Sequence, residues 1–121
     1  MLARATAAAA DERSTAYTDE RGRVRVQFPW DREGRDDGSG SCWVRPSQGW
    51  AGAGFGMMAL PRVGQEVLVD FLCGDPEQPV VIGRVHNQRQ PVVYGLPDRA
   101  TRSGWKTASS PTTGGLNEIS L

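Results

Sequence analysis

The chain carries a single histidine, His86, and that one count closes most of the chemistry open to it. An HExxH centre or any other two-histidine metal site is excluded. Cys42, Cys73 and His86 could supply three zinc ligands, but they lack the close CxxC spacing that marks such a site. They read as structural residues: the cysteines as buried free thiols of a reducing compartment, with a single disulfide as the alternative, and His86 as a side chain at a strand end. No GxSxG elbow is present, and nothing near His86 completes a triad. The glycines of GAGFG, Gly52 to Gly56, show neither GxxxxGKS/T nor GxGxxG before a helix, so backbone bending is their expected role. Asp31, Glu33, Asp36 and Asp37 are interleaved with Arg32 and Arg35 and lack the alternation and closing Glu of a calcium loop; a solvated loop is expected. Trp30, Trp43, Trp50 and Phe55, with Arg23, Arg25 and Arg45, raise the question of base stacking, and the simpler reading is that they fill a small barrel and its loops. No catalytic, cofactor-binding or metal-binding residue is assigned.

Composition sets what must hold these residues. A length of 121 residues allows one core but not two full-sized domains. With 38% hydrophobic and 23% charged residues and a mean hydropathy of −0.47, the chain is globular and polar, with no apolar run able to span a bilayer. Its 14 Lys and Arg against 14 Asp and Glu leave no net charge, unlike a general nucleic-acid binder. Locally the charges separate. Glu66, Asp70, Asp75 and Glu77 form an acidic stretch, while Arg84, Arg89, Arg99, Arg102 and Lys106 against Asp98 form a basic one; these suit self-association at least as well as a polyanion. The run Ala7 to Ala10 is short and followed at once by Asp11 and Glu12, so no cleaved leader is expected.

Fifteen Gly and eight Pro suit many short strands. Residues 1–17 are Ala-rich and support either a frayed helix or a weak first strand such as Ala3 to Ala7. Val24, Val26 and Phe28 alternate with Arg23, Arg25 and Gln27 in a strand that Pro29 ends. Cys42 and Val44 alternate with Trp43 and Arg45 up to Pro46. Gln48 to Gly56 reads as an irregular loop or a bent strand. Glu66 to Leu72 is the strongest strand and forms a hairpin with Val80 to Val85 across the Gly74-Asp75-Pro76 turn. The buried face is expected to comprise Val24, Val26, Phe28, Val67, Val69, Phe71 and Ile82, with loss of a buried Phe71 side chain costing ~3–5 kcal/mol. Residues 18–87 form the barrel, 88–100 a connecting loop, and 101–121 a Ser, Thr and Gly-rich tail with too few apolar residues to bury itself. Short strands, long loops and little helix predict an all-β, five-stranded OB-type Greek-key barrel.

The string TDERGRVRVQFPWDR, Thr18 to Arg32, closely resembles the signature of VgrG proteins, the spike of the bacterial type VI secretion system and relatives of the contractile phage-tail central spike. SCWVRPSQGWAGAGFG (Ser41 to Gly56), PRVGQEVLVDFLCGDPEQPVVIGRVHN (Pro61 to Asn87) and TRSGWKTASSPTTGGLNEISL (Thr101 to Leu121) resemble the following segments of that family, in order. The resemblance implies a non-enzymatic, structural OB module that links the hub of the spike to a trimeric intertwined β-helix. It implies a homotrimer seated on an Hcp-type tube, with a PAAR-type tip or effector held through further C-terminal parts. Neither nucleic-acid binding nor stable membrane insertion is implied. The protein would be cytoplasmic before firing and then secreted by contractile injection without a signal peptide. The chain would be a fragment, lacking the hub and most of the β-helix. Its linker candidates are Thr101, Arg102, Ser103, Gly104, Trp105, Lys106, Leu116, Asn117, Glu118 and Ile119. An OB-fold nucleic-acid-binding module is the alternative.

Overall fold

The computed structural model describes residues 2–6, 18–29, 43–109 and 114–121. Seven strands occur among them: β1 (Leu2–Thr6), β2 (Val24–Gln27), β3 (Trp43–Pro46), β4 (Glu66–Phe71), β5 (Pro79–Val85), β6 (Gly104–Ala108) and β7 (Leu116–Ser120). The first five close into a barrel in the order β1-β2-β3-β5-β4, with β1 hydrogen-bonded to both β2 and β4. Only the β3–β5 contact is parallel, matching Arg45 with Val80 and Pro46 with Val81. This all-β arrangement is the expected OB barrel. Pro46 is tolerated as the last residue of β3, where the ladder passes on to the Ser47 amide, bonded to the Val81 carbonyl at 2.7 Å.

The barrel interior is narrow and is filled by small or β-branched side chains. Ala3, Val24, Val26, Val44, Val67, Val69 and Val81 form one buried cluster, and Ala5 is buried as well. Their alternation along each strand sends the intervening residues outward. The Ala-rich start is thus strand β1, so the barrel begins at Leu2 and not at residue 18 as expected, and its alanines face inward where a larger side chain would hold the closing strands apart. Arg4, on the outer face, donates from Nη2 to Gln27 Oε1 at 3.0 Å.

Three expectations are corrected here. Ile82 is 55% exposed. The β4–β5 register steps from Val69↔Val81 to Leu68↔Gly83, so Ile82 is the extra residue of a bulge; Val81 takes the inward place that alternation had given Ile82. Phe28 and Phe71 are only half-buried and stack on each other at 6.2 Å, covering the core rather than lying within it. Removing the Phe71 ring therefore leaves a smaller hole than full burial would imply. Cys73 is exposed, because β4 ends at Phe71 and a 3₁₀ turn, Leu72–Gly74, carries the cysteine out at φ 53°. Cys42, Trp30 and the Asp31 to Asp37 cluster lie outside the described residues.

The entry to β2 is set by Asp19. Its carboxylate accepts from the Arg21 amide (3.0 Å), the Arg23 amide (2.9 Å) and the Arg23 Nε (2.5 Å), while Gly22 turns the chain at φ 74°. Desolvation alone raises the Asp19 pKa, but these donors and the Arg23 charge outweigh it and hold the carboxyl below its ordinary value. The DERGR block of the sequence is thus a turn that fixes the register in which Val24 and Val26 enter the core.

Among the described residues, strands β6 and β7 pair only with each other, from Gly104↔Ser120 to Ala108↔Leu116. All of β7 and nearly all of β6 is exposed. The tail does not bury itself, as its composition predicts; its two strands instead pair in a hairpin, which satisfies the backbone groups on their facing edges.

Candidate assembly surface

The residues singled out for chemistry do not converge. His86 is exposed, and its Nδ1 lies 3.2 Å from the Gln90 carbonyl oxygen. Among the described residues, no group of three His, Cys, Asp or Glu side chains could hold a metal ion. Around the glycines of GAGFG, two amides that a phosphate would need are already used: Gly52 donates to the Phe55 carbonyl at 2.9 Å and Met57 to that of Trp50 at 2.8 Å. Arg25 lies over the Trp43 ring at 4.9 Å, each being the other's register partner on β2 and β3. That arrangement occupies one face of the indole on which a base would stack.

The linker candidates, by contrast, come together. Thr101, Arg102 and Ser103 lead into β6, which holds Gly104, Trp105 and Lys106; Leu116, Asn117, Glu118 and Ile119 lie opposite on β7. The register pairs Trp105 with Ile119 and Lys106 with Glu118, so the alternation puts the apolar pair on one face and the charged pair on the other. Ser103 and Leu121 exchange backbone hydrogen bonds at 3.1 and 2.7 Å, extending the ladder one pair further. Trp105 is 68%, Ile119 61% and Leu121 87% exposed, an apolar surface that this chain alone leaves in water.

Tyr94, the one aromatic between Asn87 and Thr101, joins these residues without any motif that marks it in the sequence. Its hydroxyl donates to Glu118 Oε1 at 3.0 Å; the same oxygen accepts from Arg102 Nη2 at 3.1 Å, and Arg102 also reaches Ser120 Oγ at 3.2 Å. The Arg102 guanidinium sits 4.5 Å from the Tyr94 ring centroid. This three-residue staple ties the connecting loop to the charged face of the hairpin. A cleft of about 380 Å³ opens nearby, with Val92, Val93, Lys106 and Leu116 in its lining.

Desolvation, the hydrogen bond to Glu118 and that residue's negative charge raise the Tyr94 pKa, with Arg102 opposing. A folded-state pKa above the unfolded one means that the contribution is complete below the ordinary phenol value. It is lost as pH rises through the raised value. Ultraviolet titration should therefore show one tyrosine ionising above the usual range. Loosening of the hairpin, followed by amide exchange, should accompany that step; in Tyr94→Phe the late step should be missing.

A closed five-stranded barrel with one parallel contact, followed by a separate exposed strand pair, defines an OB-fold domain. The chain belongs to the type VI secretion system/phage-baseplate injector OB domain family, whose pattern matches residues 13–86. It is 55% identical over 105 residues to the type VI secretion system spike protein VgrG4b of Pseudomonas aeruginosa, covering 87% of this chain and 13% of that protein. It is 50% identical over 107 residues to VgrG1a of the same organism (87% and 17%) and 54% identical over 91 residues to VgrG2b (75% and 9%). The chain thus spans less than a fifth of the length of these curated relatives. No helix among the described residues is long and apolar enough to cross a membrane.

Proposed function

We propose that the chain is the OB module of a type VI secretion spike, a structural part that joins the hub of the spike to a shaft wound from three copies, and that it performs no catalysis. The observation that carries this reading is the pairing of a family barrel with a hairpin whose Trp105, Ile119 and Leu121 stand in water. Three copies brought together there would share a narrow apolar core and satisfy each other's free strand edges. Thr101 to Lys106 and Leu116 to Ile119 are the linker. The hub, the Hcp-type tube and the PAAR-type tip engage parts of the whole spike outside this chain. Export is by contractile injection from the cytoplasm. The absence of net charge and the Arg25–Trp43 pairing speak against oligonucleotide binding as the primary role.

The test is oligomeric state by light scattering. Two exposed strands per copy offer little area against the ordering cost of the tail, so this chain should be a monomer or a concentration-dependent monomer–trimer mixture. Appending a longer β-helix should move the equilibrium to trimer. A tight dimer, or a monomer that persists in the extended chain, overturns the proposal. Submicromolar, steeply salt-sensitive binding of generic oligonucleotides would replace it with the nucleic-acid reading.

A further inference from the structure

Between β3 and β4 runs the longest stretch of the chain without a charged residue, Pro46 to Pro61. Its large side chains face water: Trp50 and Phe55 are each 61% exposed, Met57 50% and Met58 77%. The backbone beneath them is tightly specified. An Ala51↔Gly56 bridge closes the tip, the Ala59 amide donates to Gln48 Oε1 at 3.0 Å, and the Arg84 guanidinium donates to the Ala59 carbonyl. Gly56 holds φ 131°, and a Cβ there would collide with the Trp50 carbonyl. Trp50 and Phe55 meet edge-on at 5.8 Å.

A turn held by its own backbone bonds does not need large apolar side chains in solvent. The two aromatics alone leave roughly 200–300 Å² open; Met57, whose thioether lies beside Gly49, and the exposed Met58 add further apolar surface to the loop. Trp, Phe and Met are also the residue types that gather at the centres of protein interfaces.

We propose that this loop is a self-association surface: the Met57–Met58 end of one copy packs against the same loop of the other copies around their symmetry axis. The inference rests on the three-copy reading above. Charge selects a second copy as the occupant. A patch lying on a cyclic axis meets its own images, so any ion there faces a like ion. The turn following β4 carries Asp75 and Glu77 and would repel itself, whereas Pro46 to Pro61 carries no charge at all. Arg45 and Arg62 flank the run at its rim, where solvent and salt screen them, and Arg84 is already engaged by Ala59.

The experiment is sedimentation equilibrium over a concentration series at low and high salt, on this chain and on its β-helix-extended form. The variants are Met58→Leu, Met58→Asp and Met58→Lys, and all should melt with the parent because the side chain is exposed. Association of the parent should hold or strengthen as salt rises, since an apolar contact with a cationic rim gains from screening. Met58→Leu should match the parent. Met58→Asp and Met58→Lys should each weaken assembly by roughly tenfold or more. An equimolar mixture of the two should recover it, because only a loop that meets its own copies brings the opposite charges together. Trimers indifferent to Met58→Asp overturn this proposal and leave the three-copy reading standing. A loss that mixing does not rescue also overturns it, because the loop then affects assembly without meeting its own copies. An extended chain that stays monomeric overturns both.

Discussion

Val67→Asp should leave no folded barrel at neutral pH. Val67 is fully buried, and its neighbours in the core are valines and alanine, none with a side-chain polar atom to receive a carboxylate. An ionised, unpaired carboxylate in such a place costs several kcal/mol even after relaxation. Total stability for a small domain is only about 5–15 kcal/mol. The loss is therefore expected to be complete, whereas Val67→Ala, which removes two methyl groups and leaves a small cavity, should cost about 1.5–3 kcal/mol and still fold. The sign with pH is distinctive. Burial raises the pKa of the introduced carboxyl, so acid neutralises it and removes most of the penalty. Far-UV circular dichroism should show structure returning in part as pH falls toward the ordinary carboxylate range, before acid unfolds the parent. Ile82→Asp is the control: at 55% exposure on the bulge it should lie within about 0.5 kcal/mol of the parent. If Val67→Asp melts with the parent while Ile82→Asp unfolds, the inward face of the β4–β5 hairpin has been assigned the wrong way round.

That contrast also marks how far the sequence could be read. Strict alternation gave the buried faces of β2 and β4, because Val24, Val26, Val67 and Val69 follow a period of two with no interruption. Alternation has no means of announcing a bulge, and the single extra residue in β5 exchanged Ile82 for Val81. Strand β1 was ambiguous because its inward positions are alanines, weakly apolar residues with good helix propensity; what makes them a strand is closure against β2 and β4, a long-range effect. Cys73 shows the same limit at a strand end, since an apolar residue can follow directly from a buried face and still turn outward. At the assembly surface, the exposed Trp105 and Ile119 were legible from their sparse spacing in a polar tail. Tyr94 was not, because its role depends on Glu118, a residue distant in sequence whose carboxylate it shares with Arg102.

Gly104→Ala should open the β6–β7 hairpin while leaving the barrel intact. A Cβ at Gly104 would meet the Ile119 carbonyl oxygen and the Tyr94 hydroxyl well inside contact distance, and would lie 3.0 Å from Ser120 Cα. Two of those three atoms belong to the backbone of the opposing strand, so relief requires β6 and β7 to part; the third belongs to the staple, which must swing away from Glu118. Overpacking of this kind costs about 1–3 kcal/mol, and an isolated two-stranded hairpin has little stability to lose. Amide exchange should accelerate to near the unprotected rate across Gly104 to Ala108 and Leu116 to Ser120. The tyrosine that titrates late in the parent should return toward the ordinary phenol value as its contact with Glu118 is lost. The barrel melting temperature should not move, since none of its valines touches the altered site. Gly95→Ala, where a Cβ would find nothing within 4 Å, should change none of these readouts. In the β-helix-extended chain, Gly104→Ala should also weaken trimerisation if the proposed three-copy shaft starts from this hairpin. Unchanged exchange across both strands would show that the glycine is not what permits their close approach. A variant with an opened hairpin that still trimerises like its parent would remove the hairpin from the assembly surface.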